Sequence, residues 1–274
     1  MKHALTLIAM LGIAWPAHAQ TGTDDWDMNR DPAQKLVMAY TAFDNGLGIG
    51  ARCSNGSFQV LISGLPPATG ATRNLGIALQ DAEVTDQRWN IAENPTVAIS
   101  DMPSPLARHM RKGGRMEVVV PAAEGDQRLR YVLDLPSSST AIDEVLQACD
   151  RPLVDARDAE LEALKADGLP LNLEWARPPR PNYPEGKTYT RGFATITCLT
   201  RSDGGVRDCV VETEHPIDGG FGEAAIDATR RARLRSKDGG EVLPGMIGFR
   251  TNFLMETAPV TGRRLRPNNR RDGD

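Results

Sequence analysis

The chain reads as an α+β protein: a mostly β N-terminal domain closed by a short helix, then a small domain whose antiparallel sheet packs on a helix. Three observations predict this. Short apolar runs of strand length recur between turn signals from residue 48 to 135, as in antiparallel β structure rather than βαβ units. An amphipathic helical pattern closes that region at 141–149. Beyond a Pro-rich stretch at 168–181, a hairpin, a helix and a last strand follow in order up to residue 255.

The first nineteen residues have the form of an export signal. Lys2 supplies a positive start, residues 4–15 are almost continuously apolar, and Ala17-His18-Ala19 is a small-x-small cleavage site. The apolar run is shorter than the roughly 18 to 20 residues that span a bilayer, which argues against the competing reading, an uncleaved anchor. Cleavage after Ala19 would leave 255 residues, enough for two cores, and a periplasmic location. It removes Lys2 and no acid, so 32 − 1 = 31 basic residues face 36 acidic ones, a net charge of −5. That balance argues against nucleic acid as the main partner. Cys53, Cys149, Cys198 and Cys209 all lie beyond the signal. An even count in an exported chain favours disulfides, and the spacing matches no zinc motif.

In the N-terminal domain (20–150), residues 33–40 read as a short helix or strand. Residues 48–53 read as a strand, and Asn55-Gly56 as a hairpin turn because both residues tolerate positive φ. The returning strand, 58–65, stops at Pro66-Pro67. Further strands are expected at 75–79, 88–91, 97–100, 115–120 and 129–135, with a helix at 105–112. Ser137 to Thr140 can cap the closing helix, on which Ile142, Val145, Leu146 and Cys149 share one apolar face. Cys53 ends a strand and Cys149 ends this helix, and the two are expected to bond. A loop of almost a hundred residues would make that bridge worth about 4 to 5 kcal/mol in the chain-entropy model. The unit is similar, in strand-and-helix order alone, to exported domains of the invasion-associated locus B kind.

Residues 151–180 are expected to be a linker, helical over 156–167 through Leu161 and Leu164, then Pro-rich and extended. The small domain spans 181–256. If its hairpin turns between Asp203 and Gly204, paired residues sum to 407, and Cys198 then faces Cys209. Such residues have Cα atoms about 4.5 to 5.5 Å apart, within reach of a disulfide. A three-residue loop with a bulge would not give that pairing. Alternation puts Ala194, Ile196 and Cys198 on one face with Cys209 and Val211. Phe221, Ala224, Ala225 and Ala228 offer a helical stripe to cover it, and Arg230, Arg231 and Arg233 read as its solvated face. The tail, 257–274, is Arg-rich and expected to be disordered.

Pro181-x-Tyr183-Pro184, the Asp203-Gly204 turn and the helix start Gly219-Gly220-Phe221-Gly222-Glu223-Ala224-Ala225 come in an order that resembles the C-terminal domain of TonB-type energy transducers. The resemblance covers 181–255 and implies a protein-binding module without catalytic groups. It further implies that the last strand offers its edge to an extended peptide of an envelope or outer-membrane protein. Phe249, Thr251 and Phe253 would flank that peptide, with Tyr183 and Pro184 as further contacts; the alternative is that these aromatics are core. There are departures from the family pattern. The first helix is shortened, the aromatic-Pro stretch after the long helix is missing, and a cleavable signal stands where transducers have an anchor. The linker reaches about 100 Å at most, at roughly 3.3 Å per residue. The implied function is therefore a soluble periplasmic adaptor. The alternative is an anchored energy transducer that supports outer-membrane transport.

No enzyme, cofactor or metal is expected. Gly46-x-Gly48-x-Gly50 lacks the rest of a dinucleotide fingerprint, and the serines at 137–139 lack a nucleophile-elbow context. His109 sits among Arg108, Arg111 and Lys112 on what reads as a basic surface segment, with no nameable catalytic partner. Glu212, Glu214 and His215 crowd one strand end without a further ligand in view.

Overall fold

The computed structural model describes residues 25–122, 127–164 and 168–255. The expected signal and the Arg-rich tail lie outside the described residues. No helix among the described residues is long and apolar enough to cross a membrane.

Among the described residues, nine antiparallel strands form the N-terminal sheet: β1 (Asp27–Asp31), β2 (Leu36–Ala42), β3 (Gly48–Ser54), β4 (Ser57–Ser63), β5 (Thr72–Leu79), β6 (Thr85–Ile91), β7 (Ala98–Ser100), β8 (Gly114–Val120) and β9 (Leu129–Leu135). They lie in the order β1-β2-β3-β4-β7-β6-β5-β8-β9. The ambiguous segment at 33–40 resolves into a 3-10 turn, capped by the Asp31 carboxylate, and strand β2. Asn55 and Gly56 take φ of 48° and 79° between paired Ser54 and Ser57, the two-residue turn that Asn-Gly favours. Helices α1 (Pro103–Met110) and α2 (Thr140–Ala148) cover the sheet. Ile142, Val145 and Leu146 of α2 are fully buried with Phe58, Val60, Ile62 and Trp89. Cys53 and Cys149 are bonded, with an S–S distance of 2.08 Å.

The second unit holds a three-stranded antiparallel sheet in the order β12 (Val206–His215), β11 (Arg191–Thr200), β14 (Met246–Leu254), packed on α4 (Phe221–Thr229). Phe221, Ala225, Ala194, Ile196, Cys198, Ile247, Phe249 and Phe253 form its core. Helix α4 is shorter than expected. Arg233 is not on its solvated face but begins β13 (Arg233–Ser236), which alternates exposed and buried positions. β13 pairs with β10 (Leu173–Arg177), drawn from the stretch expected as an extended linker.

The hairpin around Asp203 corrects the register argument while keeping its result. The loop has three residues: Arg201 N donates to Gly205 O at 2.9 Å, and Gly204 N to Arg201 O, with Gly204 at φ 75°. Nearby pairs therefore sum to 406, as in Leu199 with Arg207. Asp208 then enters the left-handed region at φ 50° as an extra residue. The sum returns to 407 at Thr197 and Val210, and Cys198 meets Cys209 with Cα atoms 4.1 Å apart.

The two units pack together. Gln59 Nε2 donates to Glu214 O at 2.6 Å in a buried bond, and an Arg151 guanidinium N–H donates to Val211 O at 2.5 Å. Short helix α3 (Asp158–Glu162) lies on α1. Arg108, read as surface, is instead buried. Its guanidinium is bidentate to Asp158 at 2.6 and 2.5 Å and reaches Pro152 O at 3.0 Å. The segment after Cys149 folds back over α1 and supplies those acceptors. A single-sequence view of 105–112 cannot show them.

Candidate functional site: a strand edge beside two clefts

Among the described residues, strand β14 has a neighbouring strand on one side only. Two bonds fix which of its backbone groups look inward. Met255 N donates to Thr190 O, and Thr200 N to Gly245 O. In an antiparallel ladder, bonded and non-bonded pairs alternate. The odd-numbered residues of β14 therefore bond to β11, and the N–H and C=O of Gly248, Arg250, Asn252 and Leu254 point away from it. Gly248 N is taken by Gly168 O at 2.8 Å. Gly168 fits there because it has φ 71° and no side chain; a Cβ would lie 1.8 Å from Gly248 O. Among the described residues, none hydrogen-bonds the backbone of Arg250, Asn252 or Leu254. Asn252 and Leu254 are exposed, Leu254 by 73%. Three successive outward rungs are thus open at the end of this edge.

Of the predicted contact residues, Phe249, Thr251 and Phe253 lie on β14 with their side chains on its α4 face, while Tyr183 and Pro184 lie beside it. Phe249 and Phe253 point toward α4, 8% and 4% exposed. Phe253 packs on Phe221 with ring centroids 4.8 Å apart, and Phe249 meets Trp175 edge-on at 5.7 Å. Thr251 shares their face, opposite Ala194, and is half-buried. Tyr183 stacks edge-on against Phe221 and Phe253 and donates its hydroxyl to Tyr189 O. Pro184 borders Gly220 at the start of α4. These side chains brace the strand from behind and leave its outer backbone free.

On the face of β14 away from α4, a small cavity of about 180 Å³ lies between the edge and the N-terminal unit. Phe193, Ile91 and Ala92 line it, with Arg191, His215, Glu93 and Arg250. His215 Nε2 lies 2.8 Å from Glu93 Oε2. Burial pushes the His215 pKa below the usual imidazole value, while the Glu93 charge pulls the other way. Burial likewise lowers the Arg250 pKa against the pull of Asp101.

A second cleft, of about 870 Å³, opens between the β5–β6 hairpin, α1, α3 and β14. Leu79, Leu106, Leu164 and Phe249 give it apolar walls, and Asp101 is part of its lining. Asp101 accepts from Arg88 Nε at 2.9 Å, Asn90 Nδ2 at 2.5 Å and Thr195 Oγ1 at 3.3 Å. His109 sits on this cleft, its Nε2 2.7 Å from Glu162 Oε1.

The crowded acids of β12 have separate structural partners. Glu212 is a second extra residue in that strand, its Oε1 accepting from Thr197 Oγ1 at 2.6 Å. That bulge turns Glu214 toward α4, where Oε2 accepts from Gly222 N at 2.7 Å and caps the helix start. Arg250, Asn252 and Asp101 were not singled out in the sequence. Alternation in 248–255 shows which residues share a face, but which set of backbone groups points outward depends on the register with β11, a distant strand whose pairs with β14, from Leu199 with Met246 to Arg191 with Leu254, all sum to 445.

No protein-family model matches the chain, and no curated protein matches it. Among solved structures, the solution NMR structure of the Pseudomonas aeruginosa TonB CTD is similar at 20% identity, over 32% of this chain and 90% of that one, with a TM-score of 0.27. A likeness of that size is at most one of fold.

Proposed function

We propose that this chain is a soluble binding or adaptor protein of the periplasm that holds an extended segment of an envelope or outer-membrane protein by strand addition along β14. One observation carries the reading: three consecutive outward rungs, at Arg250, Asn252 and Leu254, have no backbone partner among the described residues. An added strand satisfies such groups through main-chain bonds and gains specificity from alternate side chains. The exposed Leu254 and the adjoining cavity provide contacts for those side chains. Two disulfides and the export-type N-terminus support an oxidising compartment.

Asn252→Pro tests this directly. Proline deletes the outward N–H at 252 and leaves the β11–β14 ladder intact, since that ladder runs through odd-numbered residues of β14. Peptides selected from a random decapeptide library on the oxidised protein should bind the variant about tenfold more weakly or worse, through the loss of one main-chain bond and the clash of the ring. The melting temperature should stay within a few degrees. Unchanged affinity in a folded variant would place the peptides elsewhere and remove strand addition along β14 as their binding mode.

A further inference from the structure

Among the described residues, Arg250 is a buried cation without a hydrogen-bonded acceptor. Its side chain is 7% exposed, its Nε is buried without a partner, and no described residue accepts a hydrogen bond from its guanidinium. Asp101 is its ion-pair partner, at 3.8 Å, too far for a hydrogen bond. Both Asp101 oxygens are already engaged by Arg88, Asn90 and Thr195. The other favourable contact is the Phe193 ring, with its centroid 5.1 Å from the guanidinium carbon. Arg108 provides an internal comparison. At 6% exposure it has both oxygens of Asp158 and the carbonyl of Pro152. A guanidinium has five N–H donors in a planar fork suited to a carboxylate, and a buried charge without acceptors is costly.

Arg250 lines both the small cavity and the larger cleft, and it lies on the open edge itself. The cavity adds Arg191 and His215, while its one carboxylate, Glu93, is held by His215. We propose that the Arg250 guanidinium is the receptor for a carboxylate, carried by the segment that docks along β14. This rests on the strand-addition reading for the carrier but not for the site. A strand paired with β14 sends alternate side chains to the Phe193 face, where an Asp or Glu side chain or a terminal carboxylate meets the waiting fork. The cavity volume of about 180 Å³ suits one short side chain. The ligand class is therefore an acidic peptide, and a small free carboxylic acid shares its chemistry.

The test follows the Arg side-chain Nε–Hε NMR signals of the oxidised full chain, assigned in the wild type by through-bond correlation from the backbone, with Arg250→Gln as the binding control. One arm adds propionate or, as control, propionamide. The other adds a selected peptide that slows amide exchange at Asn252 and Leu254, made with free or amidated carboxylates. The expected result is a shift of the Arg250 signal by propionate but not propionamide. The free-acid peptide should bind at least about tenfold better than its amidated form, a preference lost in Arg250→Gln. If propionate moves the signal and no peptide protects the edge, the receptor stands for a small acid and its peptide carrier falls. If peptides protect the edge equally in acid and amide forms and propionate moves nothing, the receptor is overturned and strand addition stands. If neither arm responds, both fail. The wild-type propionate arm holds even if the variant does not fold.

Discussion

Glu214 shows how much a single backbone irregularity can decide. Without the extra residue at Glu212, its side chain would face away from α4; with it, the carboxylate reaches Gly222 N at 2.7 Å. Glu214→Ala should lower stability by about 1 to 2 kcal/mol through loss of this charged cap, and Glu214→Gln, which keeps an acceptor, by less. Urea unfolding of the two variants would check that order; equal losses would contradict the capping role. The residue was visible in the sequence as part of an acidic strand end, but its role was not, because the bulge that turns it has no residue signature. Asp208 is similar: an Asp in the left-handed region restores the pairing of Cys198 with Cys209 after a three-residue turn. The pair Cys198–Cys209 is the one expected from a two-residue turn, but the turn has one residue more.

At the scale of elements, most strands with turn signals at both ends were legible, and so was the apolar face of α2. The four-residue β13 was not, because it is short and no stop signal separates it from the helix before Asp238-Gly239-Gly240. Its partner β10 lies far back along the chain, in a Pro-rich stretch. The two disulfides tie elements across very different distances, with sequence separations of 96 and 11 residues. In the chain-entropy model the long bridge is worth about 2 kcal/mol more than the short one. Replacing Cys53 and Cys149 with Ser should therefore cost more stability than replacing Cys198 and Cys209, as read from urea midpoints at equal slope. The reverse order would mean that native-state packing, not loop closure, governs both.

For the molecule as a whole, pH dependence follows from two groups in different places. His215, in the cavity between the units, is held below its ordinary pKa chiefly by burial. Its contribution is complete above about pH 6.5 and is lost as pH falls, because the unfolded chain then binds a proton that the folded one resists. Asp155 is lowered to about 2, first by its hydrogen bonds from Arg157, against burial. It adds about 2 kcal/mol above about pH 4, lost as pH falls toward 2. Unfolding free energy should thus decline in two stages on acidification, and His215→Gln should remove the first. A profile that rises between pH 7 and 5.5 would contradict the sign. The packing of the two units was the least legible feature of all. Arg108 reads as part of a basic surface segment, and nothing in the sequence singles out Gln59 or Arg151, because the partners of all three come from distant segments.

Residue-resolved amide hydrogen exchange reads out whether the outer edge of β14 is open and takes a strand. In the free oxidised protein, the amides of Phe249, Thr251 and Phe253 should be protected, while those of Asn252 and Leu254 exchange fast. Adding a bound decapeptide should slow the latter two by at least about tenfold, as expected for newly formed main-chain bonds. If Asn252 and Leu254 are already protected in the free protein, or stay fast in the complex, the edge is not where this protein binds.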